Sequence, residues 1–245
     1  MTRRFSVVVP AYNEGPRIAD TVRTLRGVLA DIDLEVIVVD DGSTDGTAEL
    51  AEDAGADLVV RRHPNAGKGA AVRAGFAAAN GAAIAYTDAD LAYPAEQLAA
   101  MLLVVEAGFP FVAGSRRHEE TVTLIRARRL REVTGRVFNL ATAAIVNSGF
   151  RDTQCGIKAF RAEEGRLLLA CGLVEGFAFD VELFVLAKRF GIPVTEAPVQ
   201  IRNVETSSVQ MGRDSRRMLQ DLLRIRRWAA NGTYDRRRLS ASGER

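Results

Sequence analysis

The chain has 245 residues, of which 47% are hydrophobic and 26% charged, with a formal net charge of +2. That composition suits an ordinary globular protein with a sizeable core and excludes a disordered chain. The near-zero overall charge offers no polyelectrolyte surface for nucleic acid, and no run of about 18 or more apolar residues predicts a membrane-spanning helix.

Met1-Thr2-Arg3-Arg4 passes straight into the apolar run Phe5 to Val9, with no hydrophobic leader or cleavage site between them. The run reads as a buried strand of a parallel sheet, closed by Pro10, which lacks the N–H a central ladder needs. Ile18, Val22, Leu25 and Leu29 then recur at helical spacing. Glu35 to Val39 repeats the strand pattern, and the polar turn Asp40 to Thr47 leads into a short helix over Ala48 to Ala54. A third strand ends at Val59 and Val60, an Ala-rich helix covers Gly67 to Asn80, and a fourth strand runs from Ala82 to Tyr86. This alternation predicts an α/β fold: a mostly parallel, Rossmann-like sheet with helices on both faces and the loops after its strands on one edge. That edge would gather Tyr12, Asn13 and Glu14, then Asp40 and Asp41, then Asn65 to Gly69, then Asp88 and Asp90.

The second half is less regular. A strand is predicted over Phe111 to Ala113, a long arginine-bearing helix over about Leu124 to Val146, and a short strand over Ile157 to Phe160. A helix over Phe177 to Phe190, a strand over Val194 to Ile201 and a helix over Asp214 to Trp228 follow. Between Arg213 and Arg238 nine arginines face three aspartates. The apolar stripe of that last helix with Trp228 suits either a helix lying on an anionic bilayer or one docked on the protein with solvated arginines. Residues 232–245 are polar and read as a disordered tail after one domain over 1–231, divided near 115. Cys155 and Cys171 have no metal-ligand spacing and predict a reducing, cytoplasmic setting.

The Asp-x-Asp of Tyr86-Thr87-Asp88-Ala89-Asp90 places two hard oxygen donors where open α/β sheets bind ligands. Such pairs suit Mg²⁺ or Mn²⁺, with a substrate diphosphate completing the shell. A solvated turn would give the same spacing.

The segments VVVPAYNE (Val7 to Glu14), VVDDGSTDGT (Val38 to Thr47), NAGKGAAVRAG (Asn65 to Gly75) and YTDAD (Tyr86 to Asp90) resemble the inverting nucleotide-sugar glycosyltransferases of family 2, which have the GT-A fold. RDTQCGIKAFR (Arg151 to Arg161), FAFDVEL (Phe177 to Leu183) and MLQDLLRIR (Met218 to Arg226) resemble the branch acting on polyprenyl phosphates, and within it the dolichyl-phosphate β-glucosyltransferases more than the mannose synthases. Relatives of the glucosyl type carry an N-terminal membrane anchor, and a tryptophan and Gly-Ser-Lys where this chain reads Arg202 to Ser208.

The resemblance implies a donor side of Pro10, Tyr12, Glu14, Asp41, Lys68, Asp88 and Ala89, with Asp41 on the nucleobase and the metal on Asp88 and Asp90. Lys68 would reach the nucleotide from its Gly-flanked loop; a plain surface lysine is the alternative. It also implies an acceptor side of Arg129, Arg131, Gln154 and Lys158. Asp90, Arg116 and Asp180 are the catalytic candidates. A lipid-phosphate acceptor is already an anion, so arginine forks at 116, 129 and 131 would hold it without a base. A hydroxyl acceptor would need a base, and Asp180 is then the first choice. For Asp180 and Glu182 the alternative is helix capping. The implied partners are a nucleotide-sugar donor, UDP-glucose before GDP-mannose, and a polyprenyl phosphate at the inner membrane face. A soluble acceptor, or a non-catalytic nucleotide-binding shell, are the rivals, and the oligomeric state is left open.

Overall fold

The computed structural model describes residues 4–124, 142, 144–146, 149–202 and 211–243. The long helix expected over about 124–146 lies almost wholly outside the described residues, and with it Arg129 and Arg131.

Four strand–helix units open the chain. They are β1 (Phe5–Ala11) with α1 (Gly15–Val28), β2 (Leu34–Asp40) with α2 (Thr47–Asp53), β3 (Leu58–Arg61) with α3 (Lys68–Ala78), and β4 (Ala83–Tyr86) with α4 (Ala95–Glu106). After β5 (Phe111–Ser115) and β6 (Val122–Thr123) come β7 (Lys158–Arg161), α5 (Ala162–Cys171) and α6 (Phe179–Phe190). The chain ends with β8 (Val194–Pro198), β9 (Gln200–Ile201), α7 (Met211–Ala230) and α8 (Thr233–Gly243).

Seven strands form the main sheet in the order β3-β2-β1-β4-β7-β5-β8. All its pairings are parallel except those of β7, which runs antiparallel between β4 and β5. The strand expected over 194–201 is two pieces, since β9 leaves the main sheet to pair with β6. β1 and β2 are apolar almost throughout because both faces are covered. Val7 and Val9 join α1 and α4 on one face, while Val8 joins Phe76 of α3, Phe160, and the apolar side of α6 on the other. The period of two along the strand thus feeds two cores.

Pro10 does not close β1, as expected, but sits inside it, level with Val39. Thr87 N–H donates to Val8 O at the end of β4, so the missing N–H of Pro10 falls where β4 has no further rung to offer.

The expected disordered tail is also corrected, because residues 233–243 form α8, docked on the body. Tyr234 is fully buried and donates to Glu182 Oε1 at 2.7 Å, and its ring meets Trp228 edge-on. Arg189 pairs with Asp235, and Arg237 donates to the carbonyls of Ala170 and Cys171 that end α5. Glu182 also accepts from the N–H groups of Leu173 and Val174, and burial raises its carboxyl despite those bonds. Tyr234→Phe should therefore cost about 1–3 kcal/mol, the value of a buried bond to a charged group, and lower the melting temperature by several degrees. An unchanged midpoint in thermal unfolding would show that the Tyr234–Glu182 bond contributes nothing to the native state.

Candidate active site

The parallel strands bring the loops after β1, β2, β3 and β4 to one edge of the sheet, as the alternation predicts. There they line a cleft of about 970 Å³. Pro10, Tyr12, Glu14, Asp41, Lys68, Asp88, Ala89 and Asp90 all line it, together with Gln154 and Asp180 from the second half.

Each loop is fastened by its own polar groups. Asn13 has a left-handed φ of 53°; its N–H donates to Ser43 Oγ and its side-chain oxygen accepts from Thr44 N–H. The β1 and β2 loops are therefore tied together. Asp41 accepts from Arg62 at 2.9 Å, and from the N–H groups of Ala66 and Gly67 at 3.1 and 2.6 Å. About four lone-pair directions belong to a carboxylate, so Asp41 anchors the third loop and keeps little capacity for a ligand. Gly67, at φ +111°, and Gly69 allow that loop to lie against residues 174–179. A Cβ at Gly67 would stand 2.7 Å from Glu175 O, and one at Gly69 2.7 Å from Val174 O.

Lys68, the first residue of α3, is not a plain surface lysine. Its Nζ lies 2.6 Å from Asp88 Oδ1, 3.9 Å from Asp180 Oδ2, and over the rings of Tyr86 and Phe179. Burial opposes its charge, but Asp88 and Asp180 outweigh that and raise its pKa, so it remains an ammonium.

Asp88 and Asp90 stand at the carboxyl end of β4. Asp90 Oδ1 accepts from Ala92 N–H, and its carboxyl is raised by burial and then by the charge of Asp88. Leu91, next in the chain, holds a left-handed φ of 43°, an unfavourable conformation retained at the turn carrying both carboxylates. Glu14, ion-paired with Arg17 at 3.0 Å, is raised by burial and by Asp90 and Asp88. Negative charge is thus concentrated on one wall without enough protein cations to offset it.

Asp180 is buried, and its Oδ1 accepts from the hydroxyl of Tyr86 and from Lys158 at 2.6 Å. Helix capping does not describe it. Lys158, expected on the acceptor side, lies beneath the lining of the cleft, fully buried and donating also to Cys155 O at 2.7 Å. Cys155 itself is a free, buried thiol pushed up to about 11 by burial, as is suited to packing rather than chemistry.

Arg116 departs most from expectation. Its fork grips the buried Asp152 with Nε at 2.7 Å and Nη2 at 2.7 Å, its backbone N–H adds a third bond, and it does not line the cleft. Its partner stands 36 residues away in the chain, so no local pattern exposes the pair. Sequence reasoning also missed Gly156, where a Cβ would stand 2.1 Å from Asp88 Oδ2, and the cleft-lining Arg216, Arg217 and Arg224 of α7. The available signal for the arginines was their surplus over aspartate in that helix.

On the docked side, Leu222 and Ile225 of α7 enter the core and Trp228 packs beside them, while Leu219 and Leu223 are exposed. Among the described residues no helix is long and apolar enough to cross a membrane.

A family model described as glycosyl transferase family 2 matches residues 6–164. The chain is similar to the dolichyl-phosphate β-glucosyltransferase of Dictyostelium discoideum, with 31% identity over 90% of this chain and 73% of the relative. It is similar to the human protein of that name, at 34% identity over 87% and 74%. Among solved structures it is similar to glucosyl-3-phosphoglycerate synthase of Mycobacterium tuberculosis, crystallised with Mn²⁺, UDP and glucosyl-3-phosphoglycerate. That match has 25% identity and a TM-score of 0.68 over 91% of this chain and 80% of the other.

Proposed function

The chain belongs to glycosyl transferase family 2, and from that premise we propose that it moves glucose from UDP-glucose onto a polyprenyl phosphate, inverting the anomeric carbon. The observation that carries this reading is the meeting of Asp88, Asp90 and Lys68 with the first three loops in one cleft. The relatives' names support glucose and dolichyl phosphate, and the synthase crystallised with UDP and Mn²⁺ supports the donor.

The residues fit a divalent ion. Asp88 and Asp90 are hard oxygen donors one residue apart, and the carboxyl of Asp90, raised first by burial and then by the charge of Asp88, is one that a bound cation would stabilise as the anion. Among the described residues no third His, Cys, Asp or Glu completes a cage, which suits Mg²⁺ or Mn²⁺ sharing its shell with the donor diphosphate. When bound, such an ion neutralises charge developing on the leaving UDP.

The chain's own groups do the rest. Lys68, fixed by Asp88 and Asp180, keeps a positive charge beside the diphosphate without reorganising. Tyr12, Pro10 and Glu14 shape the nucleoside side, and Asp41 holds that side's loop in register. An acceptor phosphate oxygen attacks the anomeric carbon as the bond to the UDP oxygen breaks, and no base is required because the nucleophile is an anion. Asp180, satisfied by Tyr86 and Lys158, serves to position Lys68. The enzyme works peripherally, at the cytoplasmic membrane face that presents the lipid phosphate.

A soluble phosphorylated acceptor is the second reading, favoured by the likeness to glucosyl-3-phosphoglycerate synthase. The test is purified protein with Mg²⁺ or Mn²⁺ and either UDP-glucose or GDP-mannose, each offered polyprenyl phosphate, 3-phosphoglycerate or no acceptor. Glucose in the lipid phase from UDP-glucose is the expected result. Transfer to 3-phosphoglycerate alone would overturn the lipid acceptor and keep the donor chemistry, and no transfer under any condition would overturn both.

A further inference from the structure

β7 runs against its neighbours, so its first residue, not its last, stands at the edge of the sheet where the loops gather. That residue is Lys158, level with Tyr86 at the end of β4, and its side chain is fully buried. A buried ammonium is costly unless it is paired and hydrogen-bonded, and apolar groups of similar volume often replace a buried ion pair without loss of stability. Packing alone does not account for a lysine at this place.

Its partners do. Nζ donates to Asp180 Oδ1 at 2.6 Å and to the carbonyl of Cys155 at 2.7 Å, and it lies 5.5 and 5.6 Å from the ring centres of Tyr86 and Phe184. Both polar partners lead to Asp88. The Cys155 carbonyl belongs to the peptide unit that ends in Gly156, whose backbone lies flush against Asp88, since an added Cβ would stand 2.1 Å from Asp88 Oδ2. On the other side Asp180 Oδ2 stands 3.9 Å from Lys68 Nζ, and Lys68 meets Asp88 Oδ1 at 2.6 Å. One route thus bounds one oxygen of Asp88, and the other route holds the second.

We propose that Lys158 is a positioning residue for the divalent-cation site, fixing both oxygens of Asp88 from beneath the cleft: through Cys155 and Gly156 on one side, through Asp180 and Lys68 on the other. It touches neither the ion nor the substrate. The inference rests on the function proposed above, in which Asp88 holds the cation, and deepens it. An ammonium suits this task because its three donors serve a carboxylate and a carbonyl at once. Its charge engages Oδ1 of Asp180 and leaves Oδ2 to face Lys68.

The experiment compares the full chain as wild type, K158M and K158M/D180N. Mn²⁺ binding in the presence of UDP is read by paramagnetic resonance, uridine binding by calorimetry, folding by the thermal midpoint, and transfer with UDP-glucose. K158M should bind Mn²⁺ about 10- to 100-fold more weakly, the usual cost of removing a group that supports a metal ligand, and the Mn²⁺ concentration for half-maximal transfer should rise in parallel. Uridine has no phosphate to meet the ion, and its affinity should stay within about twofold. K158M leaves Asp180 a buried carboxylate without its cation, so its midpoint should fall; K158M/D180N removes that charge and should melt near wild type while binding Mn²⁺ as weakly as K158M. In a D88A background K158M should change the residual Mn²⁺ binding by less than about twofold. Wild-type Mn²⁺ binding in folded K158M/D180N would overturn the proposal. So would uridine and Mn²⁺ binding lost to the same extent, which marks a general defect, or an undiminished further loss on D88A. Wild-type protein that binds Mn²⁺ with UDP through Lys158 yet transfers no sugar to any acceptor would overturn the proposed function and leave the positioning role standing.

Discussion

Asp90→Ala should reduce kcat/KM for sugar transfer by about 10³-fold or more while the protein keeps its fold. A divalent ion held by only two carboxylates has no protein ligand to spare. Losing several kcal/mol of charge stabilisation at the leaving diphosphate, about 4 kcal/mol for a thousandfold effect, follows from removing one. Stability should not fall with activity. Asp90 is partly buried, disfavoured as an anion by burial and by Asp88, and among the described residues its hydrogen bond is the one it accepts from Ala92 N–H. Removing it relieves a repulsion at the cost of one hydrogen bond. Two measurements separate the outcomes: Mn²⁺ binding in the presence of UDP, read by paramagnetic resonance, and the thermal midpoint. Transfer within about threefold of wild type would sink the metal role of Asp90. A collapse of the midpoint would mean that the residue is needed to fold the β4 turn rather than to act there.

Gly156→Ala should be nearly as damaging, by about 10²-fold in transfer, although residue 156 carries no functional group. An added Cβ would stand 2.1 Å from Asp88 Oδ2 and 3.0 Å from its Cγ, far inside contact distance. The carboxylate of Asp88 must then leave the position in which its other oxygen meets Lys68 at 2.6 Å. Misplacing a ligand by about 1 Å is enough for losses of this size. The decisive comparison is a double-mutant cycle with Asp88→Ala. In that background the obstructed atoms are gone, so Gly156→Ala should cost almost nothing further, a large departure from additivity. Additive losses would show that Gly156 is required for the local backbone and not for the placement of Asp88.

The first four strands and their loops were legible because each is a continuous apolar run ending in a polar or glycine-rich turn, and parallel topology sends all such turns to one edge. Asp88, Asp90 and Lys68 could therefore be grouped before any geometry was known, whereas Asp180, in α6, was singled out only by the resemblance. What escaped is set by partners distant in the chain. Arg116 and Asp152, Asp41 and the amides of Ala66 and Gly67, and Lys158 beneath Asp180 are pairs separated by 36, 25, 26 and 22 residues. A sequence supplies the charges but not who satisfies whom. The C-terminal segment failed for the same reason: Thr233 to Arg238 is polar enough to pass for a tail, and only the pocket around Glu182 converts Tyr234 into an anchor. With α7 the arginine surplus was visible, yet which side of the helix faces the cleft is decided by Leu222 and Ile225 entering the core.

The reversed strand β7 has a bearing on how the chain is made. β4 ends at Tyr86, and its outer neighbour, which pairs Lys158 with Tyr86 and Arg161 with Ala83, is roughly 70 residues further on. At synthesis rates of roughly 5–20 residues per second, the nascent chain spends several seconds with that flank of β4 uncovered. Its backbone groups then form an open edge, of the kind another chain can pair with. A fragment stopped near residue 115 would contain the loops that carry Glu14, Asp41, Asp88 and Asp90 but not Asp180, and it would hold β4 and β5 with nothing between them. The part of the molecule that reads most like a nucleotide-binding unit is therefore not one that can be cut out. Its strands join into one continuous sheet only when the ribosome has delivered the strand that follows Gly156, with β8 still to come.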